Sequence, residues 1–199
     1  YMPAAAGAVE LTVDAISATV SATQLATVDY GDSYNVSTSA TGLVSGDNIA
    51  AFTLTYTGTN GTTYGPSTSA PVHAGSYTVT PSAATVGGGR TDVYSFSYQS
   101  ASLVIAKKAI TVTPDSQTVT YGDAEATLTY TPSPALSGTD AFTGALERGT
   151  GDAAGTYSIS QGSLSAGSDY ELTVLSANYL IETKSITVTP DGGQSKTYG

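Results

Sequence analysis

Apolar and polar residues alternate along this chain in short runs. Ile110-Thr111-Val112-Thr113, Ala126-Thr127-Leu128-Thr129-Tyr130, Tyr157-Ser158-Ile159-Ser160 and Tyr170-Glu171-Leu172-Thr173-Val174 all repeat with period two. In an extended backbone that period puts one set of side chains on a buried face and the other in water. Threonine suits the wet face, because a β-branched side chain fits an extended backbone. Turn-forming residues fall between the runs: Pro114-Asp115, Tyr121-Gly122-Asp123, Ser133-Pro134, Ser137-Gly138, Gly149 to Gly151 and Gly167. About seven strands in 77 residues and no convincing helix predict an all-β fold of antiparallel strands in a two-sheet sandwich. The alternative is a β-grasp unit, for which Asp140 to Leu146 is the one stretch able to supply the helix.

The pattern recurs. Lys108-Ala-Ile-Thr-Val-Thr-Pro-Asp115 returns as Lys184-Ser-Ile-Thr-Val-Thr-Pro-Asp191, and Tyr121-Gly122 returns as Tyr198-Gly199. Such self-similarity marks repeat architecture. A more diverged copy precedes them. Tyr30-Gly31-Asp32 matches Tyr121-Gly122-Asp123, and Ala74-Gly75-Ser76-Tyr77-Thr78-Val79 matches Ala154-Gly155-Thr156-Tyr157-Ser158-Ile159. Asp92-Val93-Tyr94-Ser95-Phe96 aligns with Asp169-Tyr170-Glu171-Leu172-Thr173. The chain is therefore expected to hold a short opening segment (1–7), a diverged β repeat (8–107), a complete β repeat (108–184) and the opening strands of a third, truncated repeat (185–199), as a piece of something longer.

Gly75-Ser76-Tyr77-Thr78-Val79 and Gly155-Thr156-Tyr157-Ser158-Ile159 each place a Tyr two residues before an inward apolar residue, just after a turn. This resembles the tyrosine corner of immunoglobulin-like domains, in which the hydroxyl bonds back across the turn. The expected fold is thus a tandem of immunoglobulin-like β-sandwich repeats. The second repeat also resembles the MBG domain of the YGX type, found in tandem arrays in very large bacterial surface proteins and adhesins. The resemblance runs through Ile110 to Pro114, Tyr121-Gly122-Asp123, Leu136 to Asp140, Phe142 to Arg148, Gly155 to Gly167, Tyr170 and Asn178-Tyr179. It implies a non-catalytic, secreted or cell-surface module for spacing and display, and it carries over no active site.

Composition narrows the chemistry. Without cysteine there are no disulfides, thiol catalysis or Cys-based zinc sites. Six Lys+Arg against sixteen Asp+Glu give a net charge of −10, which offers no basic surface to nucleic acid or to an anionic membrane. No apolar run approaches the roughly 20 residues of a membrane helix. Thr, Ser and Gly fill about two-fifths of the chain, and fourteen Tyr stand beside three Phe and no Trp. Tyrosine is therefore expected to fill thin cores and strand ends, with stacking on a sugar or a partner protein as the competing use.

Few residues invite a chemical role. His73, the one histidine, lies in a turn with no nucleophile or orienting group beside it, so catalysis has no constellation to work with. Asp32, Asp47, Asp123, Asp140, Asp152 and Asp169 lie beside or near Gly, which is ordinary turn chemistry. Calcium at an inter-repeat hinge is the alternative, but no Asp-x-Asp-x-Asp run or nonapeptide calcium repeat occurs. Lys108 or Lys184 with Asn178 is the pair an intramolecular isopeptide bond would use, and solvated ends are the plainer reading. Asn35-Val36-Ser37 and Asn60-Gly61-Thr62 fit the glycosylation sequon.

No catalytic, cofactor-binding or metal residue is assigned. The expected function is a structural stalk that gives length and stiffness for adhesion or surface assembly, its partners being the neighbouring repeats of the same chain. The alternative is that the repeats themselves bind a glycan or a partner protein.

Overall fold

The computed structural model describes residues 13–199. The segment expected at 1–7 and the first residues of the repeat expected at 8–107 lie outside them. The described residues form two compact units that part between Lys108 and Ala109.

The first unit holds seven strands: β1 (Ile16–Ala22), β2 (Val28–Asp29), β3 (Thr38–Thr41), β4 (Ile49–Thr59), β5 (Gly75–Val86), β6 (Tyr94–Gln99) and β7 (Ala101–Ala106). The second holds seven more: β8 (Lys108–Pro114), β9 (Gln117–Thr120), β10 (Tyr130–Ser133), β11 (Glu147–Arg148), β12 (Gly155–Ser160), β13 (Tyr170–Val174) and β14 (Ala177–Glu182). The fold is all-β. Two single 3-10 turns, Gly87–Gly89 and Thr91–Val93, are the helical elements among the described residues. Asp140 to Leu146 is not helical; Thr143 there makes an antiparallel bridge to Ser165. The β-grasp alternative is therefore set aside.

Each unit has a three-stranded and a four-stranded sheet. The orders are β3-β1-β6 and β2-β7-β5-β4 in the first, and β10-β8-β13 and β9-β14-β12-β11 in the second. Counting strands within each unit, the two orders are the same. The alternation read from sequence explains which face is buried. Ala18, Val20 and Ala22 of β1 point inward, as do Ile110 and Val112 of β8 and Ile159 of β12. In the first unit Ala22 and Val36 pack with Tyr56, Tyr77, Val79, Leu103 and Ile105, so residues of one sheet close over the other. Among the described residues no polar or charged residue is fully buried.

Two features depart from the expected antiparallel sandwich. Strands β1 and β6, β2 and β7, and β9 and β14 run parallel. The short second strand of each unit is carried alongside the last one, and Tyr30 N and Tyr121 N donate to Ala106 O and Glu182 O at 2.8 Å to close that pairing. The strand expected over Ala126 to Tyr130 begins instead at Tyr130 and includes Pro132. Edge position accommodates this: β10 ends its sheet, where the missing N–H of proline breaks no ladder. Residues 183–199 carry no strand and lie exposed, Ile186 and Val188 included.

Candidate functional site

Paired tyrosine clips recur in both units. Tyr77, on β5, donates its hydroxyl to His73 O at 2.7 Å, and Tyr157, on β12, donates to Ala153 O at 2.8 Å. Each bond spans four residues back over the turn that opens the strand, as the tyrosine-corner reading expects. A second clip was not anticipated. Tyr94 donates to Asp47 Oδ2 at 2.5 Å and accepts from Val44 N at 3.0 Å. Tyr170 donates to Asp140 Oδ2 at 2.6 Å and accepts from Ser137 N at 2.8 Å. In each case the Asp stands three residues after the N–H donor, in a turn closed by its own N–H at 2.9 and 3.1 Å. Tyr94 is thus the counterpart of Tyr170. The sequence alignment that set Val93 against Tyr170 is one residue out of register, because it followed the shared Asp of Asp92 and Asp169 rather than the ring. The spacing Leu43 to Asp47 against Leu136 to Asp140 was the signal available for the second clip.

Aspartates expected in turns have different partners. Asp47 also meets Arg90 at 3.2 Å with only 6% of its side chain exposed. Asp152 pairs with Arg148 at 3.2 Å, and Asp123 stands 3.9 Å from Lys184. Asp32 and Asp123 each close the Tyr-Gly turn through their backbone N–H, at 3.0 and 2.9 Å. In that turn Gly31 and Gly122 have φ of 89° and 84°, a left-handed conformation that glycine adopts without penalty. Among the described residues no group of three or more His, Asp or Glu is placed to hold a metal ion. Lys184 therefore faces Asp123, both more than half exposed, while Asn178 lies exposed on β14 with its backbone N–H near Ser116 Oγ. His73 is exposed and stacks on Tyr30, ring centroids 6.4 Å apart. Asn35 is exposed; Asn60, also exposed, occupies a tight turn with Gly61, both at positive φ.

The most elaborate polar arrangement centres on Arg148, to which the sequence reading gave no role. Its Nε donates to Glu125, its Nη1 donates to Gly149 O at 2.8 Å and Gly151 O at 2.7 Å, and its Nη2 donates to Asp152 at 3.2 Å. The guanidinium also lies over the rings of Tyr157 and Tyr179, 5.4 and 5.2 Å from their centroids. The hydrogen bond to Glu125 holds its pKa above the ordinary arginine value, against the opposing effect of partial desolvation. The available signal was compositional: Arg148 is the one cation between Lys108 and Lys184. In the first unit Tyr56 pairs with Val79 as Arg148 pairs with Ile159, and there an aromatic cluster fills the space.

An open groove of about 610 Å³ runs past Arg148 between residues 125–128 and 146–152. A smaller one of about 290 Å³ shares Glu125, Arg148 and Asp152 and reaches Tyr121, Asp123 and Tyr179. The guanidinium is spent on four acceptors, so it clamps the 149–152 loop. Tyr121, about half exposed, and the carboxylates of Asp123 and Asp152 are left at the rim. Of the other tyrosines, Tyr56, Tyr77, Tyr94, Tyr170 and Tyr179 belong to the cores.

Among the described residues no helix is long and apolar enough to cross a membrane. No curated protein and no solved structure matches the chain. A family model does match, from the core strand β8 through the Tyr121-Gly122 turn and Arg148 to β14: residues 110–180 match the MBG domain of the YGX type.

Proposed function

We propose that the chain is a non-catalytic spacer within a large surface protein, its first unit a diverged copy of its second. The observation that carries this reading is the shared construction of the two units. The same strand order and the same two tyrosine clips occur twice, and the groups that resemble chemistry are spent on holding turns. Arg148, Asp47 and Asp140 each close a loop onto a strand. One residue, Lys107, separates β7 from β8, a connection without Gly or Pro that suits a chain transmitting length from unit to unit. Setting and display at a bacterial surface belong to this same proposal, since MBG domains are associated with large surface proteins.

Stretching single molecules of the chain within a longer array tests it. An MBG unit of 76 residues, the spacing from Ile110 to Ile186, extends to roughly 250–270 Å at about 3.3–3.6 Å per residue. A discrete unfolding step of that size is expected for the second unit, and a separate, longer one for the first. Gradual extension without steps would rule out a modular spacer.

The groove gives a second reading one specific support. Tyr121 offers a half-exposed ring for stacking, and Asp123 and Asp152 offer acceptors for sugar hydroxyls. Binding of a neutral oligosaccharide that disappears in Tyr121→Ala, with unchanged thermal stability, would favour it.

A further inference from the structure

We infer that the outer edge of β4 is a contact surface between two copies of this chain. Strand β4 ends its sheet, paired on one side to β5. On the other side the segment after the Asn60-Gly61 turn covers only its second half: Tyr56 N and O bond to Ser67 O and N at 2.8 and 3.0 Å, and Gly58 N donates to Tyr64 O at 2.8 Å. Backbone groups alternate sides along a strand. Because Tyr56 and Gly58 point outward, Leu54 and Phe52 do so too, and among the described residues no strand lies beside them. Two register shifts in the β4–β5 pairing fall between Ile49 and Thr53, and from Thr53 onward the pairing is regular.

Soluble proteins blunt such an edge with lysine, proline or a covering loop. Ala51-Phe52-Thr53-Leu54-Thr55 has none of these residues, and Ala51, Phe52 and Thr53 are exposed. The side chain of Phe52 lines a groove of about 400 Å³ together with Leu43, Ile49 and residues 38–40 of the facing sheet. Charge favours a second copy as the occupant. Residues 13–108 hold five Asp against three Lys+Arg, whereas residues 109–199 hold ten Asp+Glu against three. The nearest charged pair, Asp47 and Arg90, neutralises itself. Two copies of a chain of net charge −10 therefore meet here with the least repulsion.

An antiparallel pair of identical edges is self-complementary about a two-fold axis. With the axis at Thr53, Phe52 faces the partner's Leu54 and Leu54 faces the partner's Phe52. Both are positions whose N–H and C=O point outward, so the pairing makes four main-chain hydrogen bonds and sets each Phe52 ring beside a Leu54. Thr53 then faces its own copy as a non-hydrogen-bonded pair, with Cα atoms about 4.5 Å apart.

The native chain lacks cysteine, which makes the register directly testable. Sedimentation of the 199-residue chain at rising concentration is expected to show a mass moving from 19.9 kDa toward twice that value. Thr53→Cys under mild oxidation is expected to give a disulfide-linked dimer, since that Cα separation suits a disulfide. Thr173→Cys, exposed on β13, is the control and is expected to stay monomeric under the same oxidation. Thr53→Lys should weaken association at least about tenfold by setting two like charges across the axis. A chain that stays monomeric at millimolar concentration overturns the inference. So does a dimer that Thr53→Cys fails to crosslink, or one that Thr53→Lys leaves intact while the variant's melting temperature is unchanged.

Discussion

Tyrosine serves this protein as a two-ended residue, with a ring for a thin core and a hydroxyl for the turn beside it. Tyr77 buries its ring opposite Leu103, Tyr157 sets its half-exposed ring opposite Tyr179, and both send their hydroxyls to a carbonyl four residues back. Changing either to Phe keeps the ring and leaves the carbonyl bare, at a cost of about 1 kcal/mol, to be read as a lower denaturant midpoint at constant slope. Tyr170→Phe should cost more, since it strips a partner from the Asp140 carboxylate and from Ser137 N–H together. Asp140→Asn retains an acceptor and should fall between wild type and Asp140→Ala in the same unfolding assay. The first clip was readable because its residues are adjacent in sequence. The second joins residues 47 and 30 positions apart, and Arg148 meets Glu125 across 23. Such distances are fixed by sheet order, which alternation along one strand does not encode.

One sequence can carry different structural weight at two places, and the strand Ile-Thr-Val-Thr-Pro shows this. At 110–114 it is the middle strand of its sheet, with Ile110 and Val112 essentially without solvent exposure. At 186–190 it lies bare, Ile186 being 83% exposed. Burial, not the motif, sets the energetic weight. Ile110→Ala is expected to cost about 2–5 kcal/mol through lost transfer energy and the cavity left behind. Ile186→Ala should stay within about 0.5 kcal/mol of wild type. Parallel thermal melts of the two variants check the contrast, and an equal loss in both would mean that 185–199 packs in solution. Strand periodicity located β8, β12 and β13 in the sequence. It placed β10 too early, because Ala126 to Thr129 alternate without joining a ladder: Ala126 N is held instead by the Tyr179 hydroxyl at 2.8 Å. Parallel pairing of β2 with β7 and of β9 with β14 was equally invisible, since a period of two is the same for either direction.

Across the whole molecule, the two units solve the same packing problem with different chemistry, and pH should separate them. The first unit gathers Tyr34, Tyr56, Tyr64 and Tyr77 where the second holds Arg148. Burial, reinforced by the neighbouring phenols, pushes the Tyr34 hydroxyl up to about 12, and burial also raises Tyr56. Tyr94 is raised chiefly by its hydrogen bond to Asp47, and Tyr170, in the second unit, chiefly by burial. A phenol is neutral when protonated, so a raised pKa means that the fold prefers the neutral form. Unfolded tyrosine ionises near pH 10. The stabilisation is therefore fully present below about pH 10 and is lost as pH climbs toward the folded values, up to about 12 for Tyr34. Three raised tyrosines lie in the first unit against one in the second. The clamp on Arg148 does not titrate away in that range, because its hydrogen bond to Glu125 holds the guanidinium charged. Alkaline titration followed by tyrosinate absorbance and circular dichroism is thus expected to unfold residues 13–108 before residues 109–182. Tyr34→Phe, which removes the ionising group together with its 2.6 Å bond to Pro71 O, should lower stability at neutral pH yet delay the first alkaline step. A single transition for both units, unmoved by Tyr34→Phe, would show that the aromatic cluster does not control the alkaline limit.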